Sequence, residues 1–394
     1  MYKAHVIKLY PTKSQEILFK KSCGVARYSY NWALCKWKEM YENGEYPSAY
    51  TLIKIQNSIK REETPFFLEV SKTVPQYAIH NLQSAYKKFF NKTSKYPIFK
   101  KKGQRDSFVA IENNIVFKQE NYKIHIPRVG KIKCAENLRF KGKVNKVTIK
   151  RVANLWFAVI SIDVKEETLL VSKNQTTIGV DLGIKTMLVL SNSKVFDNPK
   201  ALKSNLKRLK QYQRSLSRKQ KGSNNRRKQQ IKLARLHYKI SCIRNNAIHN
   251  ATTYIVKNFD KIIIEDLNVS GMNKNRKLSK ALIDVSFGEI RRQLEYKSNW
   301  LGKELIIANR FFPSSKLCSS CGNKKETLKL SERTYICENC GLEIDRDLNA
   351  AINLANYCPT QKDCECEASG ELSSIVEKQF SSSMIEEIKL NLII

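Results

Sequence analysis

Between Cys318 and Asn356 the chain reads C-S-S-C, fifteen further residues, C-E-N-C and, six residues later, D-L-N-A-A-I-N-L-A-N. A two-residue gap lets both thiolates of a pair turn toward one ion, so Cys318, Cys321, Cys337 and Cys340 predict a zinc ribbon, a tetrahedral site for one structural Zn2+. Glycine follows the second cysteine of each pair (Gly322, Gly341), where it would relieve crowding as the backbone folds back toward the ligands. Beyond the ribbon, apolar or small residues at 348, 351, 352 and 355 predict a helix whose N-terminus stands beside it. Asp345 or Asp347 would then be its N-cap, unless other carboxylates converge on the same place.

Charge narrows what such a chain binds. Its 394 residues carry 71 Lys+Arg against 36 Asp+Glu, a net charge of +35, which implies a polyanionic partner. A membrane surface competes for that role, but no apolar run is long enough to span a bilayer and the N-terminus has no cleavable signal pattern. The eleven cysteines show no secretory context, so a reducing cytoplasm is expected. The length suits two or three domains.

Residues 2–10 alternate as a strand, and Thr12 to Gln15 carry a capping-box pattern that opens a helix through Ile17, Leu18, Val25, Tyr28 and Trp32. Another helix is expected near 74–91, with Ala78, Leu82, Ala85 and Phe89 on one face and Lys87 and Lys88 toward another; Lys100, Lys101, Lys102 and Arg105 form a basic loop. Such an insert suits DNA or RNA binding, and equally an ordinary helical domain with a solvated basic face. From 107 to 164 strands return as F-V-A-I, N-I-V-F, Y-K-I-H-I, V-T-I-K and L-W-F-A-V-I-S-I-D-V. With the first strand they suggest a small β-barrel interrupted by the helical insert.

Residues 177–190 read as strand, tight turn and strand, with Asp181 flanked by Gly179 and Gly183. An acid among β-branched residues is costly unless paired or bound to metal, and the glycines would admit a ligand close to the backbone. The stretch 198–259 has seventeen Lys/Arg and no acid. Its leucine and isoleucine spacing predicts a long antiparallel helical hairpin turning at 221–225, and phosphate contact through Arg214, Arg218, Arg226 and Arg227 explains the uncompensated charge better than solvation does. K-I-I-I-E at 261–265 is a buried strand whose acid, Glu265, emerges at the sheet's end.

Three acids thus stand at element ends: Asp181, Glu265 and an aspartate at the helix after the ribbon. Hydrolysing a phosphodiester requires an activated water and neutralisation of the leaving oxygen, which two Mg2+ ions on a carboxylate cluster supply. In a very basic chain with an RNase H-like α/β sheet, that points to a nuclease. No Ser/His/Asp arrangement or Gly-rich phosphate loop competes.

The motifs G-V-D-L-G-I-K, I-I-I-E-D-L-N-V, L-E-Y-K-S-N-W-L-G-K-E-L, F-F-P-S-S-K-L-C-S-S-C-G, L-S-E-R-T-Y-I-C-E-N-C-G and D-R-D-L-N-A-A-I-N resemble the TnpB (OrfB) family of transposon-encoded, RNA-guided DNA nucleases. P-T-K-S-Q and Y-P-I-F-K-K-K-G are similar to its N-terminal half. The resemblance implies Asp181, Glu265 and Asp347 as catalytic triad and Mg2+ ligands, choosing Asp347 over Asp345, and the four cysteines as zinc ribbon. It implies a wedge-type β-barrel (1–10 and 104–172), a helical recognition insert (11–103), a RuvC-like core (173–310 and 344–357), the ribbon (311–343) and a poorly ordered tail (358–394). It further implies a guide RNA derived from the transposon end, and a double-stranded DNA target beside a short motif, bound by a monomer with its RNA. A compact type V CRISPR effector and a nuclease-derived guided DNA-binding regulator are the alternatives; the latter would need the acids lost.

Overall fold

Alternation decides the first element: in β1 (Tyr2–Tyr10) His5, Ile7 and Leu9 are buried while Val6 and Tyr10 are exposed. Thr12 then opens α1 (Lys13–Glu42) with a complete capping box, its Oγ1 accepting from Gln15 N (3.3 Å) and its N–H donating to Gln15 Oε1 (3.0 Å). The computed structural model describes residues 1–112, 119–164, 176–275, 278–329 and 331–358, and the chain divides into two units, Met1–Glu167 and Thr168–Ile394.

In the first unit, α2 (Ala49–Ile59), a 3-10 turn (Pro65–Glu69) and α3 (Thr73–Phe90) complete the helical part. The buried face of α3 runs through Ala78, Ile79, Leu82 and Tyr86 rather than through Ala85 and Phe89. Tyr86 stacks on Trp37 of α1 at 4.7 Å, and that flat contact rotates the helix away from the face its smaller residues suggest. The strands β2 (Ser107–Glu112), β3 (Gln119–Glu120), β4 (Lys123–Ile126), β5 (Gly130–Cys134), β6 (Lys143–Val152) and β7 (Leu155–Asp163) join β1 in an antiparallel sheet ordered β2-β6-β7-β1-β5-β4-β3. One core is shared by sheet and helices; Phe19 of α1 packs against Phe108 and Trp156 at 5.6 and 5.0 Å. The expected strand N-I-V-F at 114–117 lies outside the described residues, as does the tail from 359 onward.

The second unit opens with an antiparallel meander, β8 (Thr177–Leu182), β9 (Thr186–Leu190) and β10 (Val195–Asp197). The hairpin follows as α4 (Ala201–Ser217) and α5 (Asn224–Asn258), close to its expected bounds. Its seam is Leu209 against Leu236 and Ile240, and the first turn of α4 is capped from outside the hairpin: the buried Asp284 accepts from Leu202 N (2.8 Å) and Lys203 N (3.1 Å). Then come β11 (Lys261–Glu265), α6 (Val269–Met272), α7 (Ser279–Val285), α8 (Phe287–Leu301), β12 (Glu304–Ala308), β13 (Thr334–Ile336), β14 (Glu343–Asp345) and α9 (Arg346–Ala355).

The main sheet is ordered β10-β9-β8-β11-β12, with β11 parallel to both neighbours. Ile178, Val180, Ile262 and Ile264 share a core with Ile248 and Ile255 of α5 and Ile290 and Leu294 of α8. The alternate residues face the other way, where Ile263 packs on Leu354 of α9. No helix among the described residues is long and apolar enough to cross a membrane.

Candidate active site and zinc ribbon

Register places the first two acids side by side. Val180 is the partner of Ile264 across β8 and β11, so Asp181 and Glu265 stand one step further along adjacent strands, on the face opposite that buried pair. The same face carries Gly179, and there α9 touches the sheet: a Cβ on Gly179 would stand 2.0 Å from Ala351 O and 2.4 Å from Ala355 N. Glycine at 179 is therefore required by the approach of a helix backbone, not of a ligand as its sequence context suggests. From Ala351 back to Asp347 is one helical turn, about 6 Å; from Gly179 forward to Asp181 is two strand residues, about 6.6 Å. Asp347 lies close enough for its charge to act on Asp181.

Electrostatics registers that convergence. Burial, then Glu265, then Asp347 push the Asp181 carboxyl well above its usual range, opposed by Arg346 and the Leu182 amide. Burial also raises Glu265, against the hydroxyl of Ser314, which donates to its Oε1, and the charge of Arg346. Arg333 Nη1 lies 3.8 Å from Asp347 Oδ1. Asp345 plays a different part. It is the N-cap of α9, its Oδ1 accepting from Asp347 N and Leu348 N at 3.0 Å each. The two aspartates that sequence alone leaves interchangeable are separated by what they touch. Neighbouring Asp266 is paired with Arg291 and Arg310.

The four cysteines form the compact metal-ligand cluster found among the described residues, with ligand atoms all within 4.8 Å of one another. Sulfur separations of 3.6 Å for Cys318–Cys340 and Cys321–Cys337 are far from a disulfide and near the roughly 3.8 Å that four Zn–S bonds of about 2.3 Å require at tetrahedral angles. The Asn323 amide and then the Asn339 side chain lower the Cys321 thiol to about 6. Gly322 and Gly341 adopt φ of +74° and +71° with open space where a Cβ would stand; left-handed backbone, not crowding, selects them.

Three residues invisible as functional in the sequence join ribbon to acids. Asn349 Nδ2 donates to Leu317 O (2.6 Å) and its Oδ1 accepts from Ser319 N (3.0 Å). Asn353 Nδ2 donates to Ser314 O (2.7 Å) and Leu317 O (2.8 Å). Ser314 itself holds Glu265. Helix α9 thus presents Asp347 to the acids, Ala351 and Ala355 to β8, and its two asparagines to the ribbon.

The basic candidates separate as well. Arg214, Arg218 and Arg227 are exposed on the hairpin, whereas Arg226 Nη1 donates to Leu216 O (2.8 Å) and Lys219 O (2.9 Å) and ties the turn together. In the first unit Lys87, Lys101, Lys102 and Arg105 are exposed and Lys88 is half-buried. Lys100 is exposed as a residue, but its Nζ lies 3.8 Å from the Tyr30 ring centroid, and loss of water lowers it to about 8.

These elements recur in known proteins. The OrfB model, described as "Probable transposase", matches residues 160–276, and "Cas12f1-like, TNB domain" matches 287–354. A "Putative RNA-guided DNA endonuclease" of Streptomyces pristinaespiralis is 34% identical over 363 residues, covering 89% of this chain and 88% of its own. The chain belongs to the TnpB (OrfB) family. A second relative, "Putative RNA-guided DNA endonuclease InsQ" of Escherichia coli K12, is 32% identical over 372 residues, covering 89% of this chain and 91% of its own. The solved structure described as "Cryo-EM structure of the Cas12f1-sgRNA-target DNA complex" is similar with a TM-score of 0.56 at 15% identity, over 90% of this chain and 99% of that one. With the mixed five-stranded sheet, that likeness gives the chain a RuvC-like nuclease fold. A family model described as "Helix-turn-helix domain" also matches 1–45, but here those residues form a strand and one continuous thirty-residue helix.

Proposed function

We propose that the chain is an RNA-guided DNA endonuclease of transposon origin, hydrolysing phosphodiesters with Mg2+ held by Asp181, Glu265 and Asp347. The observation that carries this is the charge of Glu265 and Asp347 acting on Asp181. A half-buried Asp181 raised by loss of water and by two other carboxylates is destabilising in a metal-free fold, and divalent cations are the chemistry that relieves it. The ions would supply an activated water and charge neutralisation at the leaving oxygen. The chain's own residues do the rest: Ser314 fixes the Glu265 carboxylate, Asp345 holds the first turn of α9, and Arg346 places positive charge near both strand acids.

The seven-stranded sheet is read as the wedge-type barrel and the helices between β1 and β2 as the recognition insert, gripping a guide–target heteroduplex through its backbone. The guide would come from the transposon end, and one protein would act with one RNA. One zinc in the ribbon is structural, because all four positions are filled by cysteine. The match to a Cas12f1-like domain favours a compact type V effector as second reading, which a repeat array beside the gene would decide. Retention of all three acids weighs against a cleavage-dead regulator. Sequencing RNA that co-purifies with the protein, then offering a matched DNA with Mg2+ or EDTA, tests the proposal. Guided cutting only with Mg2+ supports it; no bound RNA, or cutting in EDTA, overturns it.

A further inference from the structure

The turn after β12 is fastened at both ends to two consecutive acids, Glu265 at the end of β11 and Asp266 just past it. Arg310 pairs with Asp266, and Ser314 donates to Glu265. Inside that span Phe311 N donates to Asn309 Oδ1 (2.9 Å), Phe312 N donates to Asn309 O (2.9 Å) and Ser314 N donates to Phe312 O (2.9 Å). Phe312 turns inward and packs its ring on Tyr357 at 4.9 Å. Phe311 turns outward and is 88% exposed. An aromatic side chain left in water on a turn this constrained forgoes the burial that would stabilise it, and nothing in the turn requires a ring there.

We propose that Phe311 is a stacking platform for one base of the single strand that enters the acid cluster. This rests on reading Asp181, Glu265 and Asp347 as the nuclease site. Three residues of chain put the Cα atoms of Phe311 and Ser314 at most about 11 Å apart. A base on Phe311 therefore lies within a few nucleotides of a phosphate at Glu265, nucleotides of one strand being at least about 3.4 Å apart. Every base offers a π-face, so the contact positions a strand without reading its sequence. It would hold the strand unstacked beside the acids and fix its distance from them.

The test uses full-length protein with its co-expressed RNA, carrying Asp181→Asn so that no DNA is cut. The probe is a single-stranded oligothymidylate with 2-aminopurine at its centre, whose fluorescence is quenched on stacking. Phe311→Ala should abolish the added quench and weaken binding of the strand about tenfold; Phe311→Trp should restore both. Unchanged quench and affinity in Phe311→Ala would overturn the proposal. So would a melting temperature lowered by several degrees with unchanged quench, since the ring would then be covered by protein. Cleavage of matched DNA by the Asp181→Asn protein would instead contradict the nuclease-site reading, and the fluorescence readout, needing no cleavage, keeps the two failures apart.

Discussion

Asp181 and Glu265 stand on adjacent parallel strands, one register step past the buried Val180–Ile264 pair, and the charge of Glu265 helps raise the Asp181 carboxyl. A carboxyl whose pKa is raised on folding stabilises the fold below its unfolded pKa and ceases to as pH climbs through the folded value. Metal-free protein should therefore lose stability between the ordinary carboxylate range and the elevated Asp181 range, and Asp181→Asn should remove much of that loss. Mg2+ needs the ionised form, so its gain in melting temperature should grow with pH. Thermal melts at stepped pH in EDTA and in Mg2+ check both; a pH profile identical in wild type and Asp181→Asn would contradict the coupling.

Gly179→Ala separates architecture from chemistry. The new methyl would meet the backbone of α9 at Ala351 O and Ala355 N, so the helix must lift and carry Asp347 with it. Overpacking of this kind costs about 1–3 kcal/mol. Cleavage should collapse while zinc content stays at one per chain, measured by melting, metal analysis and gel assay on one preparation. Full activity would show that α9 does not deliver the third acid.

Asn349→Ala tests the link between ribbon and helix. It leaves Ser319 N without its side-chain acceptor and Leu317 O with Asn353 as its remaining side-chain donor, a loss of about 1–3 kcal/mol. The melting temperature should fall with the zinc still bound. Cys337→Ser, in contrast, should lower zinc content itself. Equal zinc loss in both variants would mean that Asn349 acts on the metal site rather than on its docking.

The cysteine cluster and much of the element order were legible because their signals are local: C-x-x-C spacing, a capping box at Thr12, leucines at helical intervals. What brings distant residues together was not. Gly179 reads as room for a ligand until α9 lies on it. Asn349 and Asn353 look like polar filler in a helix until the ribbon entry is seen hydrogen-bonded to them. Ser314 has no signal of its own, and Arg226 reads as one cation among many although it clasps the turn of its hairpin. Choosing Asp347 over Asp345 took a family resemblance; the structure adds that Asp345 is the N-cap of α9 and that the charge of Asp347 acts on Asp181.

The hairpin's free cations make a salt prediction. Replacing exposed Arg214, Arg218 and Arg227 with Gln should flatten the salt slope of nucleic-acid binding by about two to three units if each neutralises a phosphate. Matched and mismatched targets should weaken alike. Arg226→Gln should lower stability through the turn with little change in slope. Titration of the RNA-loaded protein at several salt concentrations distinguishes this from a solvated scaffold, for which no slope changes.

The most direct measurement is gel electrophoresis of a guide-matched duplex incubated with Mg2+ and four single variants. Asp181→Ala, Glu265→Ala and Asp347→Ala should each leave the DNA uncut while still shifting it in a binding gel. Asp345→Ala should cut, in a protein destabilised by about 1 kcal/mol through the lost N-cap. Cleavage by the Asp347 variant, with loss confined to Asp345→Ala, would contradict the assignment of the catalytic acids.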